Sequence, residues 1–214
     1  MSPSNWEVRA PHEPLTLTRP CERITWMSSP AYVVVDDFLD DPDSIRRVAL
    51  SQRFVKMHSA GLRTVESFLH LAPYRQKFEE LLGRRLTNFD DNAANGRFQL
   101  CTAADAIPYH SDSQSCAGVL FLTPGAPLDA GVSFFRSRRS GLRGRCEDSE
   151  LMAQTFGRGA EFDRSCWDEV DRVGNLYNRL VLFDAHLAHG ATAYFGTGLA
   201  DGRLFQNFFF NVEE

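Results

Sequence analysis

The sequence predicts a mainly β domain with flanking helices, closed as a sandwich or barrel. Three observations carry this. Short apolar or alternating runs follow one another from Arg97 onward, punctuated by turn-forming stretches such as Pro124-Gly125-Ala126-Pro127 and Ala130-Gly131. Phenylalanine is abundant, with 17 residues against 5 tyrosines and 3 tryptophans, and many of these rings fall in β-like runs. Clear helical periodicity is confined to two stretches ahead of Gly96. At 214 residues the chain fits one domain, 1–214, long enough to bury a full core.

Residues 1–30 carry five prolines and no clear period, and are expected to form an extended arm partly ordered by Trp6 and Trp26. The stretch 31–95 reads as a strand with supporting helices. Ala31–Val35 is a short β run. Asp41 as N-cap and Pro42 at the first helical position start a helix that runs to about Gln52, with Ile45, Val48 and Ala49 on one face. A second helix is predicted from Pro73 to about Leu82, with Tyr74, Phe78, Leu81 and Leu82 apolar and Gly83 as its stop. The stretch 96–214 is the β core. Its predicted strands are Arg97–Thr102, Cys116–Leu122, Val132–Arg136, Asn178–Phe183, about His189–Phe195 and Arg203–Asn211. Residues 137–176 break the pattern with an arginine cluster and polar, helix-like pieces around Ser149–Phe156 and Arg164–Val170. They read as an insertion at a place suited to a substrate lid.

The net charge of −5 and pI near 5.7 give no general affinity for nucleic acid or for an anionic membrane. No apolar run reaches the ~18 residues of a membrane span. The first residues lack a charged segment followed by an apolar one, so a signal peptide is not expected. Cys21, Cys101, Cys116, Cys146 and Cys166 are an odd set without CxxC spacing. They read as free thiols of a cytoplasmic protein rather than as a zinc site or disulfide framework. Nothing in the sequence sets an oligomeric state.

The chemistry begins at His110-Ser111-Asp112. Side chains two apart on an extended segment share a face. An imidazole and a carboxylate so placed are two of the three ligands of the 2-His-1-carboxylate set that holds non-haem Fe(II). The third should be a histidine far along the chain, and His186 and His189 are the candidates. Arg203 opens the last strand and shares a face with Phe205, Asn207 and Phe209. A guanidinium on an aromatic strand face is costly to bury without an anionic partner, and a carboxylate held bidentately would satisfy it. His12, His58 and His70 have no partners in the pattern, and Gly118 and Gly131 read as packing glycines.

These pieces in this order resemble the catalytic core of the Fe(II)/2-oxoglutarate-dependent dioxygenases, nearest the prolyl-4-hydroxylase-like branch. The matching residues are His110-Ser-Asp112, Cys116-Ala-Gly-Val-Leu-Phe-Leu-Thr-Pro124, Ala130-Gly-Val-Ser-Phe-Phe135, His189 and Arg203-Leu-Phe-Gln-Asn-Phe-Phe-Phe210. The opening Tyr32-Val-Val-Val-Asp-Asp-Phe-Leu39 also resembles the start of small bacterial oxygenases. The resemblance implies a double-stranded β-helix, a jelly-roll or cupin-like core. It implies Fe(II) on His110, Asp112 and His189, the last preferred over His186 because its spacing to Arg203 suits the family. It implies 2-oxoglutarate with its 5-carboxylate on Arg203, and O2 as the second cosubstrate. The implied reaction hydroxylates an unactivated C–H bond of a small-molecule or peptide substrate, an amino acid, peptide or related metabolite, with succinate and CO2 as coproducts. Asp112 stands where related halogenases have a small residue, which points to a hydroxylase; desaturation and cyclisation use the same ligands. The chain departs from the pattern at Phe121, where the branch often has a tyrosine that bonds the cosubstrate carboxylate. Gln99 and Asn207 are the candidates to replace it. Two other readings stand beside this one. A metal-dependent cupin that does not use 2-oxoglutarate would leave Arg203 unexplained, and a non-catalytic jelly-roll binding or sensor domain would leave the intact triad unexplained.

Overall fold

A computed structural model describes residues 31–57, 60–157 and 159–213. The expected arm at 1–30, with His12 and Cys21, and also His58, lie outside the described residues. Strand β1 (Tyr32–Val35) leads to helix α1 (Pro42–Leu50). Pro42 presets φ in its first turn and the Asp41 carboxylate accepts from the Ser44 amide at 3.0 Å. The short strands β2 (Phe54–Val55) and β3 (Leu62–Thr64) precede helix α2 (Tyr74–Leu82). Gly83 stops that helix at φ 63°, a left-handed conformation that costs glycine little. Then come β4 (Leu86–Thr87), β5 (Phe98–Cys101), β6 (Cys116–Phe121), β7 (Val132–Ser137), α3 (Ser149–Phe156), β8 (Trp167–Val173), β9 (Leu180–Asp184), β10 (His189–Ala191) and β11 (Arg203–Val212).

The strands form two antiparallel sheets. The major sheet runs β1-β9-β6-β11-β5-β3-β2, with β4 on the far part of β11; the minor sheet runs β10-β7-β8. The major sheet is covered on both faces, and strand parity divides its side chains. Leu204, Gln206, Phe208 and Phe210 of β11 face α1 and α2, where they meet Ile45, Ala49, Tyr74 and Phe78. Arg203, Phe205, Asn207 and Phe209 face the minor sheet and the cavity between the sheets. The same alternation on β9 sends Leu180 and Leu182 to the helices and Val181 and Phe183 to the minor sheet. Many of the phenylalanines go to the helix side, where the Phe78 ring meets Phe208 edge-on at 4.9 Å. A third cluster, Tyr109, Phe135, Ala160, Cys166 and Trp167, backs the minor sheet. No helix among the described residues is long and apolar enough to cross a membrane. Cys101, Cys116, Cys146 and Cys166 are free thiols.

Two elements differ from the sequence expectation. Arg164–Val170, expected as helix-like, is a 3-10 turn at Arg164–Cys166 followed by β8, which pairs with β7. Asp168, Glu169, Asp171 and Arg172 hide the strand period, because β8 is the edge of its sheet and charges suit an edge. The strand expected at His189–Phe195 leaves the sheet after Ala191, and the departing chain carries Tyr194 into the cavity.

Asn178 joins the helix layer to the sheet. It holds φ at 62°, and its amide accepts from the Leu39 N–H and donates to the Leu39 carbonyl, both at 2.9 Å. Asn178→Ala removes both bonds, leaves two buried backbone groups unpaired and puts alanine in a left-handed conformation. A loss of about 2–4 kcal/mol in urea unfolding is expected, and a loss under ~0.5 kcal/mol would show that the clamp is idle.

Candidate metal centre and cosubstrate pocket

His110 and His189 are backbone partners. The His110 N–H donates to the His189 carbonyl at 3.0 Å, and the His189 N–H returns to the His110 carbonyl at 2.8 Å. Directly opposed residues of an antiparallel pair project to the same face, so the two imidazoles lie with centroids 4.4 Å apart. Asp112 is not on a strand; its N–H donates to the Ala185 carbonyl at 2.8 Å, which turns the carboxylate back toward the rings. His110 Nε2 lies 3.8 Å from Asp112 Oδ1, and His189 Nε2 lies 3.5 Å from Asp112 Oδ2. One ligand atom from each of the three residues falls within a mutual 4.8 Å.

The donor set fits a divalent ion. The His189 Nδ1 sits 2.8 Å from the Leu187 carbonyl, and the His110 Nδ1 sits 3.3 Å from the Pro108 carbonyl. An acceptor at Nδ1 puts the proton there and leaves each Nε2 as a lone pair aimed at the centre. With no proton on Nε2, His189 cannot satisfy Asp112, and Oδ2 is a buried oxygen without a hydrogen-bond partner. Two nitrogens and a carboxylate on one side of a cavity are the facial set that suits Fe(II). Burial and the adjacent His189 push the His110 imidazole down to about 4, the neutral state a ligand needs. The ring lines the cavity and is 41% exposed.

The cavity beside these residues is about 380 Å³, and Arg203, Arg63, Gln99, Asn207 and Tyr194 also line it. Arg203 is 2% exposed. Its Nε and Nη2 donate to the Ala130 and Gly131 carbonyls, each at 3.1 Å. The Phe205, Phe121 and Tyr194 rings pack on its guanidinium at 4.2, 5.2 and 5.7 Å. No carboxylate among the described residues pairs with it, and burial lowers its pKa. Gly131 lets this arrangement close, because a Cβ there would run into the Val173 carbonyl.

The structure thus brings His110, Asp112, His189, Arg203, Gln99 and Asn207 to one cavity. Gln99 is occupied at both ends: Oε1 accepts from Asn207 Nδ2 at 2.7 Å and from Arg63 Nε at 2.9 Å, while Nε2 donates to the Ala60 carbonyl at 2.9 Å. His186 points away, with Nδ1 3.6 Å from Asp184 at the surface. Two lining residues escaped the sequence reading. Tyr194, with its hydroxyl directed at the Cys101 thiol, is the one tyrosine between His189 and Arg203, and that position could have marked it. Arg63 lies on a strand of three residues, too short to carry a period.

No family model matches the chain, and no curated protein matches it. Solved structures do. HygX from Streptomyces hygroscopicus with nickel and 2-oxoglutarate bound aligns at a TM-score of 0.53 and 13% identity, over 84% of this chain and 82% of that one. HygX with nickel, 2-oxoglutarate and hygromycin B bound aligns at 0.50 and 11%, over 84% and 82%. A prolyl-4-hydroxylase from Pseudomonas putida aligns at 0.44 and 11%, over 85% and 92%. The likeness is one of fold, and the fold is the double-stranded β-helix of the 2-oxoglutarate oxygenases, as the sequence resemblance implied.

The orphaned oxygen of Asp112 makes a test that needs no substrate. Asp112→Asn is expected to leave the metal-free melting temperature unchanged or higher, since it removes a buried charge with one unpaired oxygen. It should abolish the rise in melting temperature that Fe(II), Mn(II) or Ni(II) gives the wild type. A metal-induced rise that survives the substitution would place the metal elsewhere.

Proposed function

We propose that this chain is an Fe(II)- and 2-oxoglutarate-dependent oxygenase that hydroxylates an unactivated C–H bond of an amino acid, peptide or related metabolite. The observation that carries the reading is one cavity with two needs: a triad whose Asp112 has a buried oxygen without a partner, and an Arg203 buried without a carboxylate. A divalent metal answers the first and a dicarboxylate keto acid the second. The likeness in fold to HygX, crystallised with nickel and 2-oxoglutarate, supports both.

Fe(II) held by His110, Asp112 and His189, with 2-oxoglutarate beside it, supplies the activation of O2 and the oxidising power for C–H cleavage, leaving succinate and CO2. The chain's part is positioning and exclusion. The Leu187 and Pro108 carbonyls fix the two imidazoles in the ligating tautomer. Arg203 takes the distal carboxylate on the donor capacity that Ala130 and Gly131 leave free. Phe121, Phe205 and Tyr194 wall that contact from water and so strengthen it. The Tyr194 hydroxyl, directed at the Cys101 thiol beside Arg203, is on this reading the phenol that turns to the carboxylate in place of the one Phe121 lacks. Asn207 is a further contact, oriented by Gln99. Val119, Val132 and Phe183 keep the reacting end apolar. Of segment 137–176, the part ahead of β8 borders the cavity through Glu161, which supports the reading of that part as a cover over the bound substrate.

Titration of anaerobic Fe(II)-loaded protein with 2-oxoglutarate, followed by the metal-to-ligand charge-transfer absorbance, tests this reading. The band is expected in the wild type. Arg203→Leu should keep Fe(II) and weaken 2-oxoglutarate by roughly 30- to 1000-fold. Arg203→Lys should recover part of this, because an ammonium keeps the charge and loses the fork. Tyr194→Phe should weaken 2-oxoglutarate by about 5- to 50-fold with Fe(II) affinity unchanged. Iron binding without the band would favour a metal cupin that does not use 2-oxoglutarate. Binding of neither would favour a non-catalytic module.

A further inference from the structure

Arg203 is not the only cation of the cavity. Arg63 sits on β3, in register with Gln99 of β5, and its side chain lines the same space as His110 and Asp112. Leu62 and Thr64 take the opposite parity, and Thr64 is buried with its hydroxyl on the Phe98 amide. The Arg63 Nε donates to the Gln99 Oε1 at 2.9 Å. That oxygen is neutral and shared with Asn207, so it orients the guanidinium without compensating its charge. No carboxylate among the described residues forms an ion pair with Arg63. The groups facing it in the cavity are Cys101, a thiol that burial keeps neutral, and Asp112, which a bound metal would claim. Elsewhere in the molecule arginines do find carboxylates: Arg75 has Asp90, Arg172 has Glu169, and Arg136 and Arg138 share Asp168.

On the oxygenase reading the charges of the loaded site can be summed. A divalent ion with Asp112, a dianionic cosubstrate and Arg203 come to neutrality. Glu161 also lines the cavity but is exposed to solvent, so Arg63 is the half-buried charge left over. With Nε engaged, both terminal nitrogens remain, and their planar fork matches a carboxylate held by two parallel bonds. One surplus positive charge also matches a monoanion better than a phosphate dianion. We propose that Arg63 is the specificity residue of this site and that the substrate is an organic monocarboxylate, gripped by Arg63 through its carboxylate so that a C–H bond lies over the metal. This rests on the oxygenase reading and goes further: it narrows the substrate to molecules carrying a free carboxylate.

The test uses the whole protein with Mn(II) in place of Fe(II) and saturating 2-oxoglutarate. Calorimetric binding of 2-oxoglutarate to the wild type comes first; its absence overturns the oxygenase reading and this proposal with it. 4-Fluorobenzoate and its neutral counterpart 4-fluorobenzamide are then titrated. Broadening of the fluorine NMR line by Mn(II) reports the arrival of each probe beside the metal. The wild type is expected to bind the benzoate at least about tenfold more tightly than the amide. Arg63→Gln should abolish that preference and leave 2-oxoglutarate affinity within about twofold. Arg63→Lys should retain part of it, and this variant keeps the test readable if melting curves show that the glutamine variant does not fold. A preference that survives Arg63→Gln, or no preference in the wild type, overturns the proposal. A large loss of 2-oxoglutarate affinity in Arg63→Gln also overturns it, by assigning Arg63 to the cosubstrate.

Discussion

The organisation of this molecule rests on the double burial of β11. Protein lies on both faces of the strand, and from Arg203 to Phe210 its period of two sorts the residues: Leu204, Gln206, Phe208 and Phe210 to the helices, Arg203, Phe205, Asn207 and Phe209 to the cavity. A slip of one residue would drive the guanidinium into the phenylalanine layer and put Phe208 in the pocket. The register is secured from both sides, by six residue pairs with β6 and four with β5. The Gln206 amide adds a lock of its own. It accepts from the Tyr74 hydroxyl at 2.7 Å and donates to the Gly96 carbonyl at 2.9 Å, a polar pair inside the helix-side core that only one register can satisfy. The position of the cavity is thus set by packing on the opposite face of the same strand.

A second sheet brings the two histidines to the cavity. The backbone exchange between His110 and His189 puts their rings side by side, and β10 is held in turn by β7. The two histidines sit at the rim of the minor sheet and Arg203 sits on the major one, so the spacing of the sandwich separates the histidines from the guanidinium. Arg203 crosses that space. Its Nε and Nη2 end on the Ala130 and Gly131 carbonyls, where β7 begins.

What the sequence disclosed, and what it did not, follows from these contacts. The face shared by Arg203, Phe205, Asn207 and Phe209 was legible because a long strand displays its period, and α1 and α2 were legible through Asp41-Pro42 and Gly83. His110 and Asp112 were legible as a spaced pair, although the aspartate owes its direction to the Ala185 carbonyl rather than to a strand. β8 was hidden by the charges that an edge strand carries. Arg63 was hidden because β3 has three residues and takes its place from β5, a contact that exists only after folding. Tyr194 was hidden because β10 ends early, and a stop in a strand depends on what the chain packs against next. The parts of the site that local pattern determines could be read; the parts supplied by short strands and departures could not.

The aromatic enclosure of Arg203 bears on how a turnover ends. On the oxygenase reading, decarboxylation would shorten the keto acid at the end away from Arg203 and leave the distal carboxylate as it was. Succinate therefore presents to Arg203 the same group that secured its precursor. Phe121, Phe205 and Tyr194 exclude the water that would otherwise compete for that contact. The grip that gives a firm hold on arrival is equally firm on departure. The coproduct would leave slowly unless fresh keto acid, which presents the same carboxylate to Arg203, displaces it. The ratio of the two acids in the surrounding solution, as well as the supply of substrate, then governs the throughput of the site.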